Sequence, residues 1–268
     1  METFRADFSV ADDMLQEAVH SRLAGRGQII IEKSGRIGPI VEIALAARRL
    51  SDQYRSVRIK GAFAEKLHRS MITGVPFGNG YADIAGAFPL PLENPVTRCE
   101  VWNQWTLHVN NIARTKGFDA HLISLLIGAL LEIQDNVYEH SCAPETGLVA
   151  YAVTENSLEF VVADGGVGVL NTLRQNPDYA RISDSGSALQ EVIKGGVSRF
   201  PSESGRGQGY NQLFRAMVGQ NAEIRFRSGD HVLTLKPSDE ALRGTTTVAQ
   251  TAELDGLTVS VICRAIKA

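Results

Sequence analysis

The N-terminal third of the chain alternates between two patterns of apolar residues. Spacings of three and four positions predict helices, and short runs rich in β-branched residues predict strands. In chain order these are a helix at 10–23, a strand at 28–32, a helix at 40–50, a strand at 56–60 and a helix at 63–71. Ser9 precedes the first helix and is expected to cap it. Strands and helices alternating at this pitch predict a small α/β module within residues 1–85.

Residues 74–100 interrupt this alternation. They contain four prolines and four glycines, and both residue types break regular secondary structure. The segment is therefore predicted to be a linker or a long loop between the module and a second region at 100–268.

The second region predicts a different order of elements. Helices are expected at 102–114 and 119–141, strands at 147–154 and 158–163, a helix at 210–218, and strands at 222–227, 231–236, 245–249 and 257–264. The apolar residues that recur along one side of the second helix, and so predict its sheet-facing side, are Leu126, Leu130, Ile133 and Val137. This order predicts an α+β domain, a two-layer α/β sandwich with helices on one face of a mixed sheet.

Composition and charge exclude several classes of protein. Apolar residues make up 44% of the chain and charged residues 21%, which is ordinary for globular domains. The net charge is −3 and no block of five or more Lys or Arg residues occurs, so nucleic-acid binding is disfavoured. The three cysteines contain no CxxC pair, which argues against a disulfide scaffold and a structural zinc site.

The same properties predict where the protein works. Its N-terminus is acidic and lacks the apolar core of a secretory signal. The most apolar run, residues 122–131, is shorter than the about 20 residues that a membrane-spanning helix needs. A cytoplasmic protein that does not enter the membrane is expected.

Glu132 and Asn136 lie four positions apart on the long predicted helix and therefore share one of its faces. An asparagine carbonyl oxygen is a suitable ligand for Mg²⁺, and a glutamate can orient or deprotonate a water molecule. The alternative is that both are ordinary residues of a helix surface, because glutamate is a common helix former.

Asp164 ends the predicted strand LEFVVAD, and the glycine-rich sequence GGVG follows it. A carboxylate at the end of a buried strand can accept a hydrogen bond from an amino group such as that of adenine. Gly166 and Gly168 would allow close approach of the backbone. The alternative is an ordinary turn between a strand and a loop.

Gly205, Gly207 and Gly209 alternate immediately before the predicted helix at 210–218. Glycines that open a helix expose backbone N–H groups, which suits phosphate. The spacing matches neither a Walker A motif nor the GxGxxG fingerprint of dinucleotide-binding folds. The alternative is a flexible glycine-rich loop.

The order of the three motifs along the chain matches that of a known superfamily. A helix with ExxxN, a strand that ends in DxGxG and a GxGxG sequence that opens a helix together resemble the GHKL ATPase superfamily, whose domain is the Bergerat fold. The resemblance covers residues 100–268. It implies an ATP-binding domain that uses Mg²⁺.

The resemblance implies a role for each motif residue. Asn136 would coordinate the Mg²⁺ that bridges the phosphates, and Glu132 would be the general base. Asp164 would recognise the adenine amino group. The remaining implied nucleotide contacts are Gly166 and Gly168 beside the purine, and Gly205, Arg206, Gly207, Gln208 and Gly209 around the phosphates. Residues 169–204 would form a lid over the ATP.

For one contact of the family, the matching residue in this chain is not assigned by the sequence. Family members often carry Gly-Thr at the start of the last strand, where the threonine helps to hold adenine through water. Here the sequence is Gly256-Leu257-Thr258, and Thr245 is a second candidate.

The sequences in and around the motifs most resemble those of bacterial histidine-kinase-like and anti-sigma-kinase-like ATPases. Some of these ATPases carry an N-terminal STAS-like module. Residues 1–85 resemble such a module and would bind a protein partner or mediate self-association. The expected function is hydrolysis of ATP or transfer of its γ-phosphate. The alternatives are a nucleotide-gated protein-interaction switch with little turnover, or a protein serine kinase of the anti-sigma-factor type.

Overall fold

The computed structural model describes residues 7–20, 36–49, 61–94, 99–194, 222–237 and 245–264. The α-helices in these ranges are α1 (Phe8–His20), α2 (Gly38–Arg49), α3 (Ala62–Thr73), α4 (Glu100–Thr115), α5 (Ala120–His140), α6 (Gly168–Leu173) and α7 (Ser185–Lys194). The strands are β1 (Ala85–Pro89), β2 (Leu148–Val153), β3 (Ser157–Asp164), β4 (Ala222–Lys236) and β5 (Thr245–Arg264). Short 3₁₀ turns occupy Pro144–Thr146 and Pro177–Tyr179. The predicted α+β class is confirmed.

The strands form one sheet in the order β1-β2-β3-β5-β4, and every described pair in it is antiparallel. The prediction of a mixed sheet is therefore wrong for the described strands. Only three residues join β2 to β3, and a parallel pair would need a crossover of a dozen or more residues. The edge strand β1 lies inside the segment 74–100 that was predicted to be a linker.

The last two strands are longer than predicted. Four short strands were expected between residues 222 and 264, but β4 and β5 are two long strands that pair along most of their length. The register shifts near Gly229, and Gly229 and Gly256 both have positive φ. The two strands thus continue through a bulge at Gly229 and Gly256, the positions at which the predicted short strands were separated.

Helices cover both faces of the sheet. Those of the second region, α4 to α7, keep to one face, where Trp102, Trp105 and Phe160 belong to the main core. Helices α1 to α3 cover the other face, where they pack on small residues such as Ala150 and Ala163. The helices of the second region thus lie on one face, as expected, and the helices of residues 1–85 cover the other face. Both faces can be covered because β-strand residues alternate between faces and both sets are apolar.

The helices predicted in residues 1–85 are confirmed as α1 to α3. Asp7 rather than Ser9 caps α1, since its carboxylate accepts hydrogen bonds from the Val10 N–H (2.9 Å) and the Ser9 hydroxyl (2.8 Å). The predicted strands at 28–32 and 56–60 lie outside the described residues. The division into a STAS-like module and a Bergerat domain stays a prediction.

Charged side chains hold α1 and α2 to the sheet. Glu42 of α2 is fully buried, and its carboxylate accepts a hydrogen bond from Arg225 Nε at 2.9 Å. Asp12 of α1 accepts from Arg225 and from Arg227, each at 2.6 Å. Two guanidinium groups of β4 thus share two carboxylates supplied by the N-terminal helices.

Helix α5 is the central helix of the main core. By length and composition it is the one helix among the described residues that could cross a membrane. In the structure its apolar side packs against the sheet, and the four residues predicted to lie there are at most 3% exposed. This prediction is confirmed, and α5 is a core helix of the fold. The cytoplasmic location stays a prediction.

Candidate functional site

Helix α5 carries the first pair of candidate residues. Asp119 caps its start by accepting hydrogen bonds from the N–H groups of His121 (2.9 Å) and Leu122 (3.0 Å). Glu132 is exposed and Asn136 is half-buried, at the border between the packed side of the helix and solvent. Neither side chain forms a hydrogen bond with another described residue, so both are available to a ligand.

Asp164 is the last residue of β3 and is only 5% exposed. Its carboxylate accepts hydrogen bonds from the backbone N–H groups of Gly166, at 2.8 Å, and Leu257. Burial nevertheless raises the pKa of Asp164 to about 6, and these two hydrogen bonds offset only part of the shift. A carboxylate that is desolvated and fixed in this way suits a neutral hydrogen-bond donor.

The glycines after Asp164 are required by close packing. A side chain at Gly166 would overlap the backbone carbonyl of Ser141. Gly168 begins α6 with a φ of 74°, and a Cβ there would lie 2.9 Å from the Ser228 hydroxyl. Both glycines are therefore required by packing within the protein, and their contact with a purine stays a prediction.

The end of α5 is joined to the glycine turn that follows Asp164. The Ser141 carbonyl, one residue past the helix, accepts a hydrogen bond from the Val167 N–H at 2.9 Å. The Thr172 hydroxyl of α6 donates to the Gly168 carbonyl at 2.8 Å and also lies 3.3 Å from the His140 carbonyl. Asn136 is five residues before Ser141, roughly 8 Å along a helix. The structure therefore brings the ExxxN helix and the DxGxG turn into one region of the molecule.

The pairing of the strands shows where the two candidate threonines, Thr258 and Thr245, lie relative to Asp164. Thr258 pairs with Ala163, while Leu257 pairs with Asp164. Directly opposite residues of an antiparallel pair share a face, so Thr258 lies on the other face of the sheet from Asp164. Thr245 pairs with Lys236 at the far end of the β4–β5 hairpin. Thr258 therefore faces away from the Asp164 carboxylate, and Thr245 lies at the other end of the hairpin.

Two hydroxyl groups that the sequence did not indicate support the turn instead. Thr146 Oγ1 accepts a hydrogen bond from the Gly165 N–H at 2.8 Å. Ser228 Oγ accepts from the Val169 N–H at 2.9 Å and donates to the Gly256 carbonyl at 2.8 Å. No sequence motif could have identified them, because each lies on another element, 19 and 59 residues from its partner.

The predicted phosphate loop, Gly205 to Gly209 with Arg206 and Gln208, lies outside the described residues, as does the helix at 210–218. Within the predicted lid, residues Ser185–Lys194 form helix α7. Ala188 and Leu189 are at most 1% exposed, so this part of the segment belongs to the main core.

The residues present fit a nucleotide-bound Mg²⁺ in one respect. Mg²⁺ takes oxygen ligands and usually keeps several waters, so few protein ligands are needed when phosphates supply the rest. The Asn136 amide oxygen is such a ligand. Within the described ranges, no group of three or more His, Cys, Asp or Glu side chains forms a metal cluster.

Neither a comparison with protein-family models nor a comparison with curated proteins finds a match to this chain.

Proposed function

We propose that this protein binds ATP with Mg²⁺ and hydrolyses it or transfers its γ-phosphate, in the manner of GHKL ATPases. The observation that carries the proposal is the junction between α5 and the turn after β3. The Ser141 carbonyl is hydrogen-bonded to the Val167 N–H, and Gly166 packs against Ser141 without room for a side chain. This contact supports a single site formed by Asn136 and Asp164.

The chemistry follows from the properties of each side chain. The fixed carboxylate of Asp164 would accept a hydrogen bond from the adenine amino group. The Asn136 amide oxygen would hold Mg²⁺, which supplies charge stabilisation at the phosphates when bound. Glu132 would accept a proton from the attacking water or hydroxyl group.

Binding and turnover of ATP by three variants test the proposal. Calorimetry with ATP and Mg²⁺ should show binding to the natural protein and none to Asn136→Ala or Asp164→Asn. Glu132→Ala should bind ATP but release no phosphate. Glu155→Gln changes an exposed glutamate in the turn between β2 and β3, and it should bind and turn over ATP normally. Normal ATP binding by Asn136→Ala and Asp164→Asn would contradict the proposal.

One observation favours a second candidate, the nucleotide-gated switch. Glu132 is exposed, and within the described part of the chain nothing orients its carboxylate. A general base must lie within hydrogen-bond reach of the proton that it removes. If Glu132→Ala and the natural protein bind ATP equally and neither releases phosphate, the switch is the better assignment.

A further inference from the structure

A cavity of about 550 Å³ opens between the end of α3, the edge strand β1 and the turn before β2. Neither Asn136 nor Asp164 lines it, so it is distinct from the candidate nucleotide site. Cavities that bind small molecules measure about 300–1,000 Å³ and combine an apolar wall with a few polar groups. The size of this cavity therefore suits a small ligand.

The wall of the cavity is mainly apolar. Phe88 and Leu90 form its floor and are each 4% exposed. Ile72 and Val101 stand at its mouth and are 70% and 46% exposed. A bound apolar group would remove these two side chains from water, which favours binding.

The polar groups of the cavity have both signs of charge. Arg48 and Glu145 are the charged residues among its described lining, and neither forms an ion pair with another described residue. Helix α3 also ends at the cavity, where the Gly74 N–H bonds the Ser70 carbonyl at 2.8 Å. Among the described residues, the next carbonyls, of Met71 to Thr73, receive no hydrogen bond. They and Glu145 favour a cationic donor, and Arg48 favours a carboxylate.

We propose that this cavity binds a small zwitterion with an apolar body, an apolar amino acid or a short apolar peptide. Its ammonium group lies against Glu145 and the last carbonyls of α3, and its carboxylate lies against Arg48. Its apolar side chain packs on Phe88 and Leu90. This inference does not depend on the proposed ATP site.

Calorimetry with free phenylalanine and with the dipeptide Leu-Phe tests the proposal. It also distinguishes an amino acid from a short peptide as the ligand. At least one of them should bind saturably in the absence of nucleotide. N-acetylation and C-terminal amidation of that ligand should each weaken binding about twofold to fivefold, the size expected for one partly exposed ion pair. In Glu145→Gln the effect of acetylation should shrink, and in Arg48→Gln the effect of amidation should disappear, because the ligand change and the protein change then remove the same ion pair.

A pair of matched variants locates the site. Val101→Asp places a charge at the cavity mouth, and Leu107→Asp makes the same change on α4 at a residue that is 60% exposed and does not line the cavity. Only Val101→Asp should abolish binding. Ile72→Asp repeats the test if Val101→Asp unfolds. Absence of saturable binding by both probes, or binding that survives Val101→Asp or Ile72→Asp, would overturn the proposal. If the acetylated and amidated forms bind as tightly as the unmodified ligand, the zwitterion assignment is overturned.

Discussion

At the scale of single residues, the buried carboxylate of Asp164 lowers the stability of the folded protein at neutral pH. Its folded pKa of about 6 is above its ordinary value of 3.8 because the carboxylate is buried. The folded state therefore binds the proton more tightly than the unfolded state. The penalty for the charged form is absent well below pH 4, grows between about pH 4 and pH 6, and is complete above that range.

Asp164→Asn should accordingly stabilise the protein while it abolishes ATP binding. The asparagine carbonyl can still accept the Gly166 N–H, and the penalty for a buried charge disappears. The expected gain in the free energy of unfolding is about 3 kcal/mol at pH 8, from a shift of about two pKa units, and it should shrink as the pH is lowered towards 4. Urea unfolding at pH 8 and pH 5 measures it. Asp178→Asn, at an exposed position, is the control, and a less stable Asp164→Asn protein at pH 8 would contradict the explanation.

Gly166 and Gly165 offer a matched pair of single-atom tests. A methyl group at Gly166 would overlap the Ser141 carbonyl, which is backbone and cannot move aside cheaply. A methyl group at Gly165 would meet only Thr146, at 3.5 Å. Gly166→Ala should lower the free energy of unfolding by about 2–4 kcal/mol, and Gly165→Ala by less than about 1 kcal/mol. Chemical unfolding compares them, and equal losses would show that the turn can relax.

The residues of the turn also show what a sequence can predict. The sequence correctly placed the end of a buried strand at Asp164 and a turn at the glycines that follow, because a buried strand followed by glycines has a local signature. Thr146 and Ser228 have none, since their roles arise from contacts made across the fold. Thr258 was misleading, because one position along a strand places its side chain on the opposite face of the sheet.

At the scale of elements, the docking of α1 and α2 depends on buried charge. The sequence predicted both helices from their apolar spacing, but it could not show that Glu42 pairs with Arg225, 183 residues later.

The β4–β5 hairpin could not be predicted from local sequence for a similar reason. Its glycines look like chain breaks locally, and only pairing with the neighbouring strand shows that each strand continues through a bulge.

Glu42→Gln tests the charged contact between α2 and β4. The substitution keeps the shape of the side chain but leaves Arg225 and Arg227 with one carboxylate instead of two. Breaking a buried ion pair by removing one partner typically costs about 3–5 kcal/mol, and a loss in this range is expected in urea unfolding. Glu65→Gln, on the exposed side of α3, should change stability by less than about 0.5 kcal/mol. A loss of under about 1 kcal/mol for Glu42→Gln would show that Asp12 alone suffices.

At the scale of the whole molecule, the sheet has helices on both faces, whereas the sequence predicted one helical layer and a separate module. The spacing of apolar residues identifies which side of a helix is buried, but it does not identify the element against which that side packs. Helices α1 to α3 form as predicted, and they pack on the sheet of the second region. These helices pack directly on β3, the strand that ends at Asp164.

Thr146 links the two proposed sites across this architecture. It lines the cavity, and its hydroxyl holds the Gly165 N–H next to Asp164. If both proposals hold, ligand in the cavity should change the Kd for ATP, and ATP should change the Kd for the cavity ligand by the same factor, because coupling between two sites is reciprocal. A factor of about five, the low end for coupled sites, is expected.

Thr146→Val removes the hydroxyl while it keeps the shape of the side chain. Calorimetry should then show that both ligands still bind but that the coupling factor falls to about one. Thr115→Val removes a hydroxyl that donates to the Ile112 carbonyl at the exposed end of α4, and it should leave the coupling unchanged. If Thr146→Val retains the full factor, the two sites communicate by another route, and the hydrogen bond to Gly165 serves only to support the turn.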